Sequence, residues 1–351
     1  MSSIAIILPG YPRSPIGGYK VAYQYANFLA AHGDSVTVFH MRTPRSTANP
    51  PRDALIAAAY FIGRTRRPTW FDLNRRVKVR NYANMRERHV PSNDIVIATS
   101  VATADLAGRM TINKCEGIYL IQHFEDFTVT ADEVLRTWRL PMRRVVVSKW
   151  LQNMASENGL TSTLIENGVD TNYFRLGAPT TDRRLSVLAM VSAQAWKRTD
   201  LIEALMRTTA ETRAEVTLTT FGTCRRPLGL PDKATHFENP TREQIIGLYH
   251  DAQVFVCASD FEGFGLPALE AMACGCAVVS TDNGGVPAFA GDAAIYVDRG
   301  SSEQLIMAVN RLLDDSNLRA LLVDRSRLKV EKLSLEASCQ AFEKVVRDAT
   351  R

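Results

Sequence analysis

At 351 residues the chain exceeds one ordinary hydrophobic core and suits two domains, and its 46% hydrophobic and 23% charged content is that of a soluble globular protein. No apolar run approaches the ~20 residues that span a bilayer, which excludes an integral helical membrane protein. Net charge is only +5, so wholesale binding to a polyanion is not implied. Six cysteines (Cys115, Cys224, Cys257, Cys274, Cys276 and Cys339) form no CxxC pair and have no adjacent His at ligand spacing, which argues for reduced packing thiols and against a zinc site or disulfide framework.

From the start, Met-Ser-Ser-Ile-Ala-Ile-Ile-Leu-Pro lacks the basic segment of a signal peptide; it reads as a first strand, Ile4 to Leu8, that turns at Pro9-Gly10. A cytoplasmic location is the expectation. A helix from about Gly18 to His32 and a second strand from Ser35 to His40 complete a βαβ rhythm. Between Arg42 and Arg88 stand twelve Lys and Arg against Asp53, Asp72 and Glu87, a local excess of nine positive charges around the apolar run Ala54 to Ile62. Two readings stand for this stretch: peripheral docking on anionic lipid or capture of a phosphorylated acceptor, and a solvated basic loop beside a buried helix. No nucleic-acid motif accompanies the charge.

Further strands are expected at Ile95 to Ala98, Gly117 to Gln122 and Arg144 to Ser148, all short and rich in Val and Ile, as suits a parallel sheet covered on both faces. Around Ile165-Glu-Asn-Gly-Val-Asp170 a strand is expected to end in a turn, and the loop-like Gly177 to Arg184 that follows marks a boundary, placing a first domain at 1–170 and a second at 171–330. The second half repeats the rhythm with strands Leu185 to Val191, Glu215 to Phe221, Val254 to Ser259 and Ala277 to Thr281, and helices Arg198 to Thr209, Arg242 to His250 and Pro267 to Ala273. Amphipathic helices follow from Ser301, with Leu305, Val309, Leu312 and Leu313 on one face. The segment 331–351 is expected as a C-terminal helix that can pack back on the first domain.

Ligands of open α/β sheets bind outside the carboxyl ends of strands, so the loops after the strands are the places to search. Gly17-Gly18, after the first strand, lets the backbone approach a ligand at a helix start, although it is neither GxGxxG nor a P-loop and equally suits a turn. His123, after Gly117 to Gln122, is either a site residue or a satisfied structural histidine. The richest segment is Glu262-Gly-Phe-Gly-Leu-Pro-Ala-Leu-Glu270. Pro267 suits a first helical turn, so the amides of Phe264, Gly265 and Leu266 lack intrahelical acceptors and offer donors to a diphosphate. Glu262 before the helix and Glu270 inside it are acceptor groups for vicinal hydroxyls, one for a sugar and one for a ribose. Singly, each has a bland alternative: a surface turn residue, and a first-turn acid on the helix dipole.

Glu262 to Glu270 spells the E-x7-E motif of the family 4 retaining glycosyltransferases, and the chain resembles that family beyond it. Ala271-Met-Ala-Cys-Gly-Cys-Ala-Val-Val-Ser280 with Asn283-Gly-Gly-Val-Pro287, Asn167-Gly-Val-Asp170 with Phe174, Gly17-Gly18 and His123 are similar to its other signatures. The resemblance implies the GT-B fold: α/β, two Rossmann-like doubly wound domains facing a central cleft. It also implies transfer of a sugar from a nucleoside diphosphate to an acceptor hydroxyl with retention, without a metal or other cofactor. By it, Glu262 holds the donor sugar, Glu270 the ribose, and Phe264, Gly265 and Leu266 the phosphates, with Gly17 and Gly18 closing on them. Lys197 aligns with the lysine that neutralises the leaving diphosphate, and His123 with a catalytic histidine. Ser192 stands in the donor-binding segment where the family usually has an arginine, and Ala288 where it has a glutamate. A weaker likeness to bacterial surface-polysaccharide enzymes, including rhamnosyltransferases, runs through Tyr119 to Asp126, Thr137 to Pro141 and Val147 to Leu151. The acceptor is then a sugar, lipid-linked or small-molecule hydroxyl, with no nucleic-acid partner, and location cytoplasmic or peripheral at the inner face of a membrane. A degenerate nucleotide-sugar binder, motivated by Ser192, and a nicotinamide-dependent dehydrogenase, disfavoured by the absent GxGxxG, are the alternatives.

Overall fold

The computed structural model describes residues 1–42 and 50–350; positions 43–49 of the basic stretch, Arg45 among them, lie outside the described residues. Two compact units form, one from Met1–Val147, Leu151–Ile165 and Ser338–Arg351, the other from Ser148–Trp150 and Glu166–Ala337.

The first unit runs β1 (Ser3–Pro9), α1 (Gly17–Ala31), β2 (Ser35–Met41), α2 (Pro50–Ile62), β3 (Lys78–Tyr82), β4 (Ile95–Ala98), α3 (Val101–Asn113), β5 (Glu116–Ile121), α4 (Ala131–Trp138), β6 (Arg143–Val146), α5 (Lys149–Glu157) and β7 (Thr163–Leu164). Its seven strands are all parallel, in the order β3-β2-β1-β4-β5-β6-β7. The central strands are buried along their length: Ile4 to Leu8 and Ile95 to Ala98 are at most 2% exposed, as continuous apolar runs must be when helices cover both faces.

The second unit runs β8 (Ser186–Met190), α6 (Thr199–Thr212), β9 (Thr217–Gly222), β10 (Thr235–Glu238), α7 (Arg242–Asp251), β11 (Val254–Cys257), α8 (Leu266–Ala273), β12 (Ala277–Thr281), α9 (Gly285–Ala290), β13 (Ala294–Val297), α10 (Ser302–Asp314) and α11 (Ser316–Lys332). Six parallel strands lie in the order β10-β9-β8-β11-β12-β13. Leu305, Val309, Leu312 and Leu313 of α10 are buried in its core, as their spacing predicts. Both units are Rossmann-like α/β layers, the expected fold class.

The last helix, α12 (Leu335–Ala349), returns to the first unit. There Phe342 stacks on Tyr25 with ring centres 4.2 Å apart, and Arg347 forms a bidentate pair with the fully buried Asp34 at 2.8 and 2.7 Å. Asp34 also accepts from the Ser2 amide at 2.8 Å. Three strands go unpredicted by pattern, β3, β10 and β13, whereas β7 is the strand expected to end near Ile165. All three are sheet edges, and in β3 and β10 one side meets solvent and no continuous apolar run is needed, so Lys78-Val-Arg-Asn-Tyr82 and Thr235-His-Phe-Glu238 carry no strand signal of the buried kind.

Because Phe342 is 1% exposed, Phe342→Ala is expected to lower stability of the first unit by about 3–5 kcal/mol through loss of buried surface and a residual cavity. A denaturant midpoint indistinguishable from that of the parent chain would show that the returning helix is not part of that core.

Candidate functional site

In each sheet the strand order reverses between two strands whose following loops diverge, which is where open α/β sheets place their ligands. In the second unit that point lies between β8 and β11. The loop after β8 carries Ser192 to Arg198, and the loop after β11 carries Ala258 to Gly265. Lys197 and Glu262 therefore arise 65 positions apart but meet: Lys197 Nζ donates to Glu262 Oε1 at 2.6 Å. Their side chains are only 16% and 9% exposed.

The pair is held from several sides. Ser259 Oγ donates to the same Glu262 oxygen at 2.8 Å, and the Glu262 amide donates to the Asn283 carbonyl at 3.0 Å. The Asp260 amide donates to the Trp196 carbonyl at 2.8 Å, fastening one loop to the other. Burial opposes the charge on Lys197, but the adjacent Glu262 carboxylate outweighs it, and the ammonium pKa is raised above its ordinary value. Lys197 is thus cationic throughout the neutral range. The Cys257 thiol beside it is pushed up to about 11, by burial first and Glu262 second, so it stays protonated.

Arg198, next to Lys197, is held by two acids of its own. Its guanidinium is engaged by Asp200 at 3.0 and 2.7 Å and by Asp260 at 3.2 Å. Ser192 serves its own loop. Its hydroxyl accepts from the Gln194 amide at 3.2 Å, and its amide and carbonyl both bond to Thr199 Oγ1. These bonds close the loop that presents Lys197.

The Glu262 to Glu270 segment folds as its residue types dictate. Gly265 has φ +99° and caps α8, and a Cβ there would lie 2.5 Å from Val286 Cγ2. Pro267 occupies the first helical turn, and the amides at this end have no carbonyl one turn back to donate to. Phe264 is buried and stacks on Phe289 at 4.8 Å. Glu270, one turn into α8, is buried, and Tyr249 of α7 donates to its Oε2 at 3.4 Å. Burial and then the Glu270 charge raise the Tyr249 hydroxyl well above its ordinary value, so it remains a donor.

Sequence reading missed Trp150. Its Nε1 donates to the Gly263 carbonyl at 3.1 Å, and a Cβ on Gly284 would come within 3.1 Å of its ring. Gly284 has φ +81° and makes a parallel bridge to Glu262. The indole thus packs where the glycine turn leaves room and steadies the loop carrying Glu262. Only the general bias of tryptophan toward hydrogen-bonded packing sites could have signalled this.

In the first unit Gly17 and Gly18 open α1 after β1, with no side chain capping that end. The Gly18 carbonyl accepts from Gln122 Nε2 at 2.8 Å, joining the loops after β1 and β5. His123 Nδ1 donates to the Phe124 carbonyl at 2.8 Å, and its ring meets Phe127 edge-on at 4.9 Å. Two residues on, Glu125 Oε2 accepts from the Val101 amide at the start of α3 at 3.1 Å. Burial, only partly offset by that bond, pushes Glu125 up to about 7, which marks it as the perturbed acid of this unit. A cavity of about 620 Å³ lined by Gly117, Met142, Arg144, Thr163 and Val345 lies instead at the amino ends of β5 to β7, remote from these loops. Among the described residues no group of three or more His, Cys, Asp or Glu is placed to hold a metal ion.

Residues 200–329 match the family model of glycosyl transferases group 1. The chain is 34% identical over 105 residues to a D-inositol 3-phosphate glycosyltransferase of Corynebacterium jeikeium, covering 29% of this chain and 25% of that protein. It is 34% identical over 94 residues to the O-antigen chain mannosyltransferase B of Escherichia coli, covering 27% and 25%. Against an MMP alpha-(1->4)-mannosyltransferase of Mycolicibacterium hassiacum it is 29% identical over 181 residues, covering 48% and 44%. The chain thus spans between a quarter and under half of the length of these relatives. By structure it is similar to sucrose-phosphate synthase of Thermosynechococcus elongatus (TM-score 0.76, 17% identity, 99% of each chain) and to Anabaena HepE solved with UDP-glucose (TM-score 0.74, 14% identity, 99% and 100%). These two likenesses extend over the whole chain and concern the fold.

Two outcomes follow from this geometry. Gly284→Ala forces a side chain against Trp150 from a positive-φ position and is expected to cost about 1–3 kcal/mol, read as a lower unfolding midpoint of the second unit; no shift would mean that the turn is not constrained. For Glu125 the folded pKa, about 7, lies above the ordinary 4.5, so the folded state holds its proton more tightly and stability falls as pH rises from about 4.5 to above 7. Glu125→Gln should therefore gain about 1–2 kcal/mol relative to the parent at pH 8 and nothing at pH 4, a figure discounted for the partly exposed position; equal differences at both pH values would contradict it.

Proposed function

We propose that this chain, whose residues 200–329 match the model of glycosyl transferases group 1, transfers a sugar from a nucleoside diphosphate to an acceptor hydroxyl, with retention at the anomeric carbon and without a metal. The observation that carries the reading is the buried Lys197–Glu262 pair at the carboxyl ends of β8 and β11, beside the open end of α8.

In this reading the diphosphate lies at the amide-lined start of α8, where the helix dipole and backbone donors favour an anion. Glu270, set by Tyr249, accepts from the ribose hydroxyls, and Glu262 from hydroxyls of the transferred sugar. Negative charge accumulates on the departing diphosphate as the bond from its oxygen to the anomeric carbon breaks. Lys197, already cationic and fixed, stabilises that charge without reorganising. The acceptor oxygen bonds to the same face of the carbon, and its proton passes to the leaving phosphate oxygen, so no side-chain base is required. Proteins of similar sequence include a D-inositol 3-phosphate glycosyltransferase and an O-antigen chain mannosyltransferase, and structural neighbours were solved with UDP-glucose or UDP, which supports a nucleotide-sugar donor and a glycoconjugate or polysaccharide product.

A thermal-shift series with UDP, GDP, ADP and dTDP should give one clear stabilisation of about 5 °C at a hundred times Kd, abolished by Glu270→Ala. Turnover with that donor should persist in EDTA and yield the retained anomer by proton NMR. Lys197→Ala should fall by about 10²–10³-fold in kcat and, by leaving a buried carboxylate uncompensated, should also unfold at a lower temperature. Near-parental turnover from folded Lys197→Ala would end the role assigned to Lys197. Donor hydrolysis unaffected by any acceptor would end the transferase reading.

A further inference from the structure

The surface of α2 carries an apolar stripe that nothing in the sugar-transfer reading uses. Leu55, Ala58, Ala59 and Ile62 fall within about 100° of one another around the helix. All four are exposed, Leu55 by 73% and Ile62 by 86%, with Phe61 at 76% on the flank of the stripe. The reading of Ala54 to Ile62 as a buried helix is thereby overturned for these residues. The opposite side of the helix is anchored: Tyr60 Oη accepts from the Tyr11 amide at 3.1 Å.

Two residues beyond Ile62 a basic cluster begins. Arg64 lies 5.0 Å over the Tyr82 ring and donates to its hydroxyl at 2.9 Å, and His89 stacks on the same ring at 4.7 Å with a 3° tilt. Arg86 and Arg88 flank that stack. Burial and then the charges of Arg88, Arg64 and Arg86 hold the His89 pKa below its ordinary value. All three arginines are exposed. Glu87, the acid among them, is paired with Arg109 at 3.1 Å.

An apolar stripe joined to clustered guanidinium groups is satisfied by a surface that offers acyl chains and phosphates together. A second copy of this chain would bring like charges face to face, and a neutral apolar partner would leave the arginines unanswered. We propose that α2 and the Arg64, Arg86 and Arg88 cluster dock the first unit on an anionic lipid bilayer, with Leu55 and Ile62 entering the boundary of the acyl chains and the arginines lying among the phosphates. The docking does not depend on the sugar-transfer reading, and its test reads partition, not turnover.

The full chain is sedimented with phosphatidylcholine vesicles containing about a third phosphatidylglycerol, and with pure phosphatidylcholine vesicles, at low and at high salt. Expected is partition to the anionic vesicles at least tenfold above the neutral ones, weakened by salt. Leu55→Ser with Ile62→Ser, and separately Arg64→Gln with Arg86→Gln and Arg88→Gln, should each lose at least tenfold with an unchanged unfolding midpoint. Should the triple variant unfold, Arg86→Gln alone replaces it, with a loss of a few-fold. Absence of partition to anionic vesicles overturns the proposal, as does partition that the serine pair leaves intact. Displacement by millimolar inorganic phosphate would assign the arginines to a soluble phosphate instead, and a dimer in solution that the serine pair dissolves would assign the stripe to a second copy; either result rejects bilayer docking.

Discussion

A cation and a carboxylate brought together out of water constrain much of the second unit. Removing Lys197 and Glu262 from solvent costs several kcal/mol per ion, and the attraction between them offsets this only when the geometry is close and the remaining valences are filled. The surrounding structure supplies those conditions: the 2.6 Å contact, the Ser259 hydroxyl on the same oxygen, the amide bond from Asp260 to Trp196, and the turn at Gly284 against Trp150. A loop arranged this way is preorganised, which is what stabilisation of a developing anion requires, since donors that must reorient lose part of their effect.

The first unit solves a different problem at the carboxyl edge of its own sheet. Its loops after β1, β4 and β5 are joined by the bonds from Gln122 to Gly18 and from Val101 to Glu125, and among the described residues of these loops no buried ion pair of the Lys197 kind occurs. Behind them, Tyr23, His40 and Asn81 form a buried chain, with His40 bonded at 2.7 and 2.6 Å to the other two. Burial depresses His40 to about 4, so it remains a neutral imidazole whose Nδ1 proton goes to Asn81 and whose Nε2 accepts from Tyr23. Such a chain fixes orientation without adding charge.

The departure at Ser192 bears on charge at the β8 and β11 loops. Lys197 is paired with Glu262 and Arg198 with Asp200 and Asp260, and Ser192 adds no positive charge to these loops. The serine instead closes the loop. A structural substitution thus takes the place of an electrostatic one.

What the sequence by itself determined is the set of elements whose signals are local. Continuous Val and Ile runs such as Ile95 to Ala98 must be central parallel strands because only a doubly covered sheet hides both of their faces. Pro267 after Gly265 must start a helix, and Glu262 and Glu270 could be read as two ends of one donor segment. The tertiary structure alone decided which distant groups meet, because a contact between positions 197 and 262 depends on strand order, and strand order is set by packing and not by spacing. The same holds for Trp150 beneath Gly284, for Arg198 turned toward Asp260, for α12 returning to Tyr25, and for the outward face of α2. The edge strands β3 and β10 escaped detection for a related reason: a half-solvated strand needs no continuous apolar code, so only the neighbouring strand specifies them.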